Sequence, residues 1–304
     1  MNWILWILFN RIYHSPVLLA IYKGLKYITY LTTGTTEIYR LCHTQSNRPN
    51  ATIIYRIDQS ILYSNQLREE RIQLTSDEIP LTTVFQTLCR KKLFSSTQSP
   101  AAQTLQYSLQ RIYQSNQLLN AVEERTLTKY DSTNPEHEKL LLSLWSGMKP
   151  DEPLENRLTK QWVDLGFQGN DPATDFRGMG LQGLDDLVYF SVRYPAYAHS
   201  ILQHSAHPVY WYPYAIVGIN ITKFAYQLLE SKQLQLYLFQ YEPVLTTFQD
   251  VYCYLFYQFN QFWITHEPKL SVMDFEVKFI EFKAKMKHDL VHNRIIPLSL
   301  LENK

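Results

Sequence analysis

The sequence predicts an all-α protein: a multi-helix globular body preceded by a helical N-terminal arm rich in apolar and aromatic residues. Apolar residues recur at steps of three and four along most of the chain, the spacing of one helix face. No alternation of apolar and polar residues runs long enough to build a sheet, although Ala51 to Ile57 could form a short strand. Of the 304 residues 45% are apolar, with only 9 Gly and 14 Pro, which suffices for a packed core and excludes disordered and collagen-like chains.

The first element is the apolar run Trp3 to Phe9, which stops at Asn10-Arg11, far short of the ~20 residues that cross a bilayer. A second block, Val17 to Tyr22, follows Pro16 and ends at Lys23, so a continuous span would bury Arg11 and His14 near its middle. No basic residue precedes the run and no small-residue cleavage site follows it, so a secretory signal is a poor match. Rings mixed with Lys and Arg suit the headgroup boundary, and residues 1–30 are expected to lie on a membrane surface. The alternative is an N-terminal helix that packs its aromatic face on the body. Charge supports a distinct arm: up to residue 57 six cations (Arg11, Lys23, Lys26, Arg40, Arg48 and Arg56) face Glu37 alone, while the formal charge of the whole chain is only +1. That global balance gives no drive towards nucleic acid. Three widely spaced cysteines, Cys42, Cys89 and Cys253, exclude a disulfide framework and a CxxC pair.

Further along, the Ser/Thr/Gln stretch from Phe94 to Thr104, with Pro100 inside it, reads as a loop between two helical groups. Leu140, Leu141, Leu144, Trp145 and Met148 form a stripe that closes at Lys149-Pro150. Longer stripes follow at Tyr214, Val217, Ile221, Phe224 and Leu228, and at Val244, Phe248, Val251, Leu255, Phe259 and Phe262. A last one, Phe275, Phe279, Phe282, Met286 and Leu290, stands behind Asp274 as its expected N-cap.

Five of the nine glycines fall between Gly166 and Gly183. Gly178, Gly180 and Gly183 match a GxGxxG pattern, but the polar turn Asp171 to Arg177 stands where a dinucleotide fingerprint needs an apolar strand. No GxxxxGK[ST] occurs, so the chain has no phosphate-binding loop of its own. Arg177 stands out, set between Phe176 and Gly178 after an Asp-Pro turn; it either pairs with Asp171, Asp175 or Asp185 or is offered to a partner. His199, His204 and His207 are spaced poorly for a metal, with Pro208 closing any helix after His207, and no metal site is expected.

The segment Trp162-x3-Gly166-Phe167-Gln168-x3-Pro172-x-Thr174-Asp175-Phe176-Arg177-Gly178-x-Gly180, with Gly183-Leu184 and Tyr189-Phe190 after it, resembles the signature of the ELMO domain. Tyr214 to Asn220 and Tyr252 to Leu255 resemble the shorter ELMO domain-containing (ELMOD) proteins. The resemblance covers about residues 130 to 290, so the chain is expected to comprise the arm (1–50), a helical region (51–129), the ELMO domain (130–293) and a tail (294–304). It implies a GTPase-activating protein for Arf and Arf-like small GTPases, with the essential arginine on Arg177. GTP and Mg²⁺ would then belong to the partner, with no cofactor held here, and Trp162, Phe176, Asp175 and the glycines would support the loop. The longer ELMO adaptors lack this arginine; the alternative here is a membrane-tethered scaffold that binds an Arf-family protein without accelerating hydrolysis. The implied location is the cytoplasmic side of endoplasmic reticulum, mitochondria, lipid droplets or Golgi, with a cytosolic fraction.

Overall fold

The computed structural model describes residues 3–43, 49–76 and 78–301. The charge of Arg48 lies outside them, and the rings of Trp3 and Trp6 lie outside the described side chains. Among the described residues the secondary structure is helical throughout, with no strand. Helices α1 (Trp3–His14), α2 (Pro16–Thr33), α3 (Glu37–Cys42), α4 (Ala51–Leu62), α5 (Arg68–Gln73), α6 (Leu81–Lys91) and α7 (Pro100–Leu127) lead into α8 (Pro135–Met148). There follow α9 (Gly180–Arg193), α10 (Pro195–Ser205), α11 (Tyr214–Glu230), α12 (Gln235–Tyr241), α13 (Leu245–Ile264) and α14 (Phe275–Val291). The helices form two units: residues 1–119, 234–244 and 291–293, and residues 120–233, 245–290 and 294–304.

In the first unit, Ser15-Pro16 breaks the apolar N-terminus into two helices: Pro16 sits at a position that needs no N–H, and Ser15 caps α2. The α1–α2 pair packs one face on the first unit and leaves the other uncovered. On one face Tyr13 is 2% exposed among Tyr22, Tyr55 and Tyr63, at ring separations of 5.8 to 6.1 Å, and Arg56 covers the Phe9 ring at 3.9 Å. The other face, Ile4, Leu8, Val17, Ile21, Leu25, Ile28 and Leu31, is exposed. No described helix is long and apolar enough to cross a membrane. The buried carboxylate of Glu37 ties α2 to this core through Tyr22, Lys26 and Ser60 Oγ, with Arg56 Nη2 at 3.5 Å. Burial pushes the Glu37 carboxyl up, but the pull of Lys26 and the hydrogen bonds from Tyr22 and Ser60 outweigh it and hold the group below its ordinary value.

Three local expectations are corrected. Ala51 to Ile57 is the start of α4, not a strand: Asn50 Oδ1 accepts the Ile53 N–H at 3.1 Å, and Ile54, Ile57 and Ile61 bury one helical face. Pro100 opens α7 rather than lying within a loop, because Ser99 Oγ accepts the Ala102 N–H at 3.2 Å and the proline takes the first helical position. Asp274 is not the N-cap of α14. It closes a capping box on Ser271, accepting that residue's N–H at 2.8 Å and its hydroxyl at 2.9 Å.

The second unit is organised round α13, which is apolar on nearly every side and correspondingly buried at Phe248, Val251, Tyr252, Leu255, Phe256, Phe259 and Trp263. Helices α9, α10 and α11 pack on it, α8 packs on α9, and the stripe of α14 places Phe279 and Phe282 at 5.8 and 5.4 Å from the Phe259 ring. All three cysteines are buried thiols, each raised above the ordinary thiol value by burial. Beneath α9 the Asp186 carboxyl is fully buried: Oδ1 accepts from Gln182 at 2.7 Å, while Oδ2 has no partner among the described residues.

Candidate functional site

The segment that carries Arg177 lies wholly in the second unit and is built from two short 3-10 helices, Lys160–Leu165 and Pro172–Gly178. The first ends at Gly166, with φ +78°; a Cβ there would lie 2.7 Å from the Pro213 carbonyl carbon, so both the backbone angle and the space demand glycine. The second is started by Asp171, whose Oδ1 accepts the Ala173 N–H at 3.1 Å and the Arg157 guanidinium at 3.0 Å, with Pro172 in the first helical position. Thr174 Oγ1 donates to the Asp171 carbonyl at 2.9 Å.

Beneath the turn runs a chain of aromatic edges. Trp145 meets Trp162 at 5.3 Å, Trp162 meets Phe167 at 5.7 Å, Phe167 meets Phe176 at 5.7 Å, and Phe176 stacks on Tyr130 at 6.4 Å. Trp162, Phe167 and Phe176 are buried, and the Trp162 indole N–H donates to the Arg157 carbonyl at 2.7 Å. Gly180, with φ +50°, begins α9 so close to the end of α7 that a Cβ would lie 2.9 Å from the Arg125 carbonyl oxygen. Leu181 N–H then donates to Thr128 O at 2.9 Å.

Each aspartate that could have held Arg177 is engaged elsewhere. Asp171 is paired with Arg157, Asp185 is paired with Arg125, and Asp175 Oδ2 accepts the backbone N–H of the exposed Gln168 at 2.9 Å. Burial raises the Asp175 carboxyl above its ordinary value, against the opposing pull of the Gln168 N–H and the Arg177 charge. Arg177 is exposed and has no salt bridge among the described residues; its Nε donates to Thr174 O at 2.7 Å. Gly178, beside it, has nothing within 4 Å of where a Cβ would stand.

Arg177 borders a cavity of about 770 Å³ floored by Phe176, Met179 and Tyr130, with Tyr226, Lys223 and Lys129 on its rim. Those last three were not legible as site residues: Lys223 and Tyr226 sit three apart on the polar side of the α11 stripe, which reads as an ordinary solvated face. The GxGxxG glycines do not follow a strand, since a 3-10 helix precedes Gly180. The three histidines are separated: His199 bonds Gly147 O at 2.7 Å, His204 meets Asn260 at 3.1 Å, and His207 stacks on Tyr210 at 3.8 Å. No group of metal-ligating side chains is found among the described residues.

Residues 120–279 match the model of the ELMO/CED-12 family. The chain is 39% identical to ELMO domain-containing protein 2 of Mus musculus, the alignment covering 86% of this chain and 89% of that protein. It is 35% identical to ELMO domain-containing protein 1 of Homo sapiens, over 88% of this chain and 87% of the relative. With ELMO domain-containing protein B of Dictyostelium discoideum the identity is 35%, over 87% and 93%. No solved structure matches the chain significantly.

Proposed function

The chain belongs to the ELMO/CED-12 family, and on that premise we propose that it is a GTPase-activating protein for Arf and Arf-like small GTPases, with Arg177 supplied in trans. The observation that carries this reading is the state of Arg177: an exposed guanidinium, fixed through Nε to Thr174 O, on a turn anchored by buried Phe176. A fork held in this way, exposed and in no salt bridge among the described residues, is preorganised to meet phosphate oxygens. The partner supplies the nucleotide and Mg²⁺, and charge developing on the transferring phosphoryl group is met by the arginine. The protein acts as an activator of an enzyme and holds no cofactor itself. Gly178 leaves the backbone beside Arg177 uncovered for a partner's close approach. The exposed apolar face of α1–α2 holds the protein on the cytoplasmic side of an intracellular membrane.

The test is single-turnover GTP hydrolysis by a panel of purified Arf and Arf-like proteins, with wild-type protein and with Arg177→Lys. Acceleration by wild type that vanishes in the variant is the expected result. Binding of the GTP form without acceleration by either protein would leave a tethered scaffold instead.

A further inference from the structure

The first unit holds a cavity of about 560 Å³ that the GTPase reading does not use. It is lined by Lys23 and Lys26 of α2, Lys92 after α6, and Asn65, Gln66 and Thr36. Sequence positions between 23 and 92 thus converge on one basic hollow, of a size that takes a small ligand. Its acidic lining residue, Glu37, is buried and already held by Lys26, Tyr22, Ser60 and Arg56. The nearby Glu70 is matched by Lys91 at 2.7 Å. Lys23 rests over the Tyr63 ring at 5.9 Å, and Lys92 Nζ has a neutral partner, Gln66 Oε1, at 3.3 Å. Two lysine charges therefore face the cavity without a carboxylate of their own. In line with this, Lys92 lies below its ordinary value, through burial and through the charges of Lys26 and Lys91.

The surroundings indicate which anion is fitted. Lys23 and Lys26 leave α2 among the residues of its uncovered apolar face: Ile21, Leu25 and Ile28 are each more than half exposed, and Tyr27 both borders the cavity and is 63% exposed. A membrane lipid presents this combination, with phosphate at the headgroup level and acyl chains below, and Tyr favours the boundary between them. We propose that the Lys23–Lys26–Lys92 cavity binds the phosphorylated headgroup of an anionic lipid in the membrane on which the α1–α2 face lies. The proposal rests on the membrane reading of the arm but not on Arg177.

The experiment is flotation of the full chain with three vesicle compositions: phosphatidylcholine alone, phosphatidylcholine with phosphatidylserine, and phosphatidylcholine with phosphatidylinositol bisphosphate at the same total charge. Preference for the last is expected. Lys23→Gln and Lys92→Gln should each reduce it by about fivefold while leaving binding to phosphatidylcholine vesicles unchanged. Lys26 is kept, because it neutralises buried Glu37, and thermal melting confirms that both variants fold. Equal binding to the two charged compositions overturns the headgroup site and leaves the arm reading intact; no binding to any vesicle overturns both. Titration with soluble inositol trisphosphate separates the sources: affinity equal to that for the vesicles would make the ligand a free phosphate and refute the lipid.

Discussion

Nε of Arg177 donates to the carbonyl oxygen of Thr174 at 2.7 Å, three residues earlier in the same turn. One of the five guanidinium N–H groups thereby fixes the stem of the side chain, and the outer fork makes no salt bridge among the described residues. The bond costs the fold little to lose, since Arg177 is exposed and forms no salt bridge with its neighbouring aspartates. Arg177→Lys and Arg177→Ala should therefore change the unfolding free energy by no more than about 0.5 kcal/mol. If the arginine meets the transition state, both should lower the acceleration of GTP hydrolysis by about 10³ or more. Urea unfolding and single-turnover hydrolysis on the same preparations check the two halves separately.

The glycines near Arg177 divide by what surrounds them. Gly166 and Gly180 have left-handed backbone angles, and a Cβ on either would strike backbone that belongs to another element. Gly166→Ala and Gly180→Ala should each destabilise the protein by at least about 2 kcal/mol, from backbone strain and steric displacement together. Gly178 has open space, so Gly178→Ala should leave the urea midpoint nearly unchanged. Loss of GTPase stimulation in this last variant would mark Gly178 as part of the docking face rather than of the fold.

The helical stripes were legible because each spans several turns: Tyr214 to Leu228 and Phe248 to Phe259 bury the side that their spacing predicts, whereas Val244, the first residue of the second stripe, precedes α13 and is exposed, and Phe262, its last, is half-buried. Where a segment was short, local chemistry decided against its appearance. The β-branched residues of Ala51 to Ile57 suggest a strand, but the Asn50 cap and the burial of Ile54 and Ile57 in the first unit make it a helix. The aromatic chain under Arg177 follows from residues the motif contains, whereas its continuation to Tyr130 and Trp145 depends on where α7 and α8 end, which no short pattern encodes. The fate of the three aspartates was illegible for the same reason, since Arg125 and Arg157 reach Asp185 and Asp171 from distant positions. The Lys92 cavity is likewise assembled from remote segments.

Asp186 gives the second unit a pH dependence of known sign. Burial lifts its carboxyl from 3.8 to about 7, against the hydrogen bond from Gln182. The unfolded chain loses this proton near 3.8 and the folded one keeps it to about 7, so in that window the folded state binds more protons. The contribution of Asp186 is thus fully present below the lower value, declines as pH rises through the window, and levels off above it. Asp186→Asn stays neutral throughout and keeps an acceptor for Gln182. Urea midpoints of the variant should gain on those of wild type as pH rises from about 4 to about 7, with no further gain above.

The N-terminal arm needs a test that separates its two faces. Deleting residues 1–22 would remove Tyr13, which packs with Tyr55 and Tyr63, and Tyr22, which packs on Tyr13 and helps hold the Glu37 carboxylate, so released protein would also be damaged protein. Fully truncating one buried aromatic side chain costs about 3–5 kcal/mol, and the deletion should lower the melting temperature markedly. Ile21→Asp, Leu25→Asp and Ile28→Asp together alter only exposed positions along one side of α2. Each replaces an apolar group that would sit at the headgroup boundary with a charge that anionic lipid repels. The triple variant should therefore leave the membrane fraction while melting at the wild-type temperature. Retention on membranes with normal melting would show that the exposed face of α2 is not what holds the protein there.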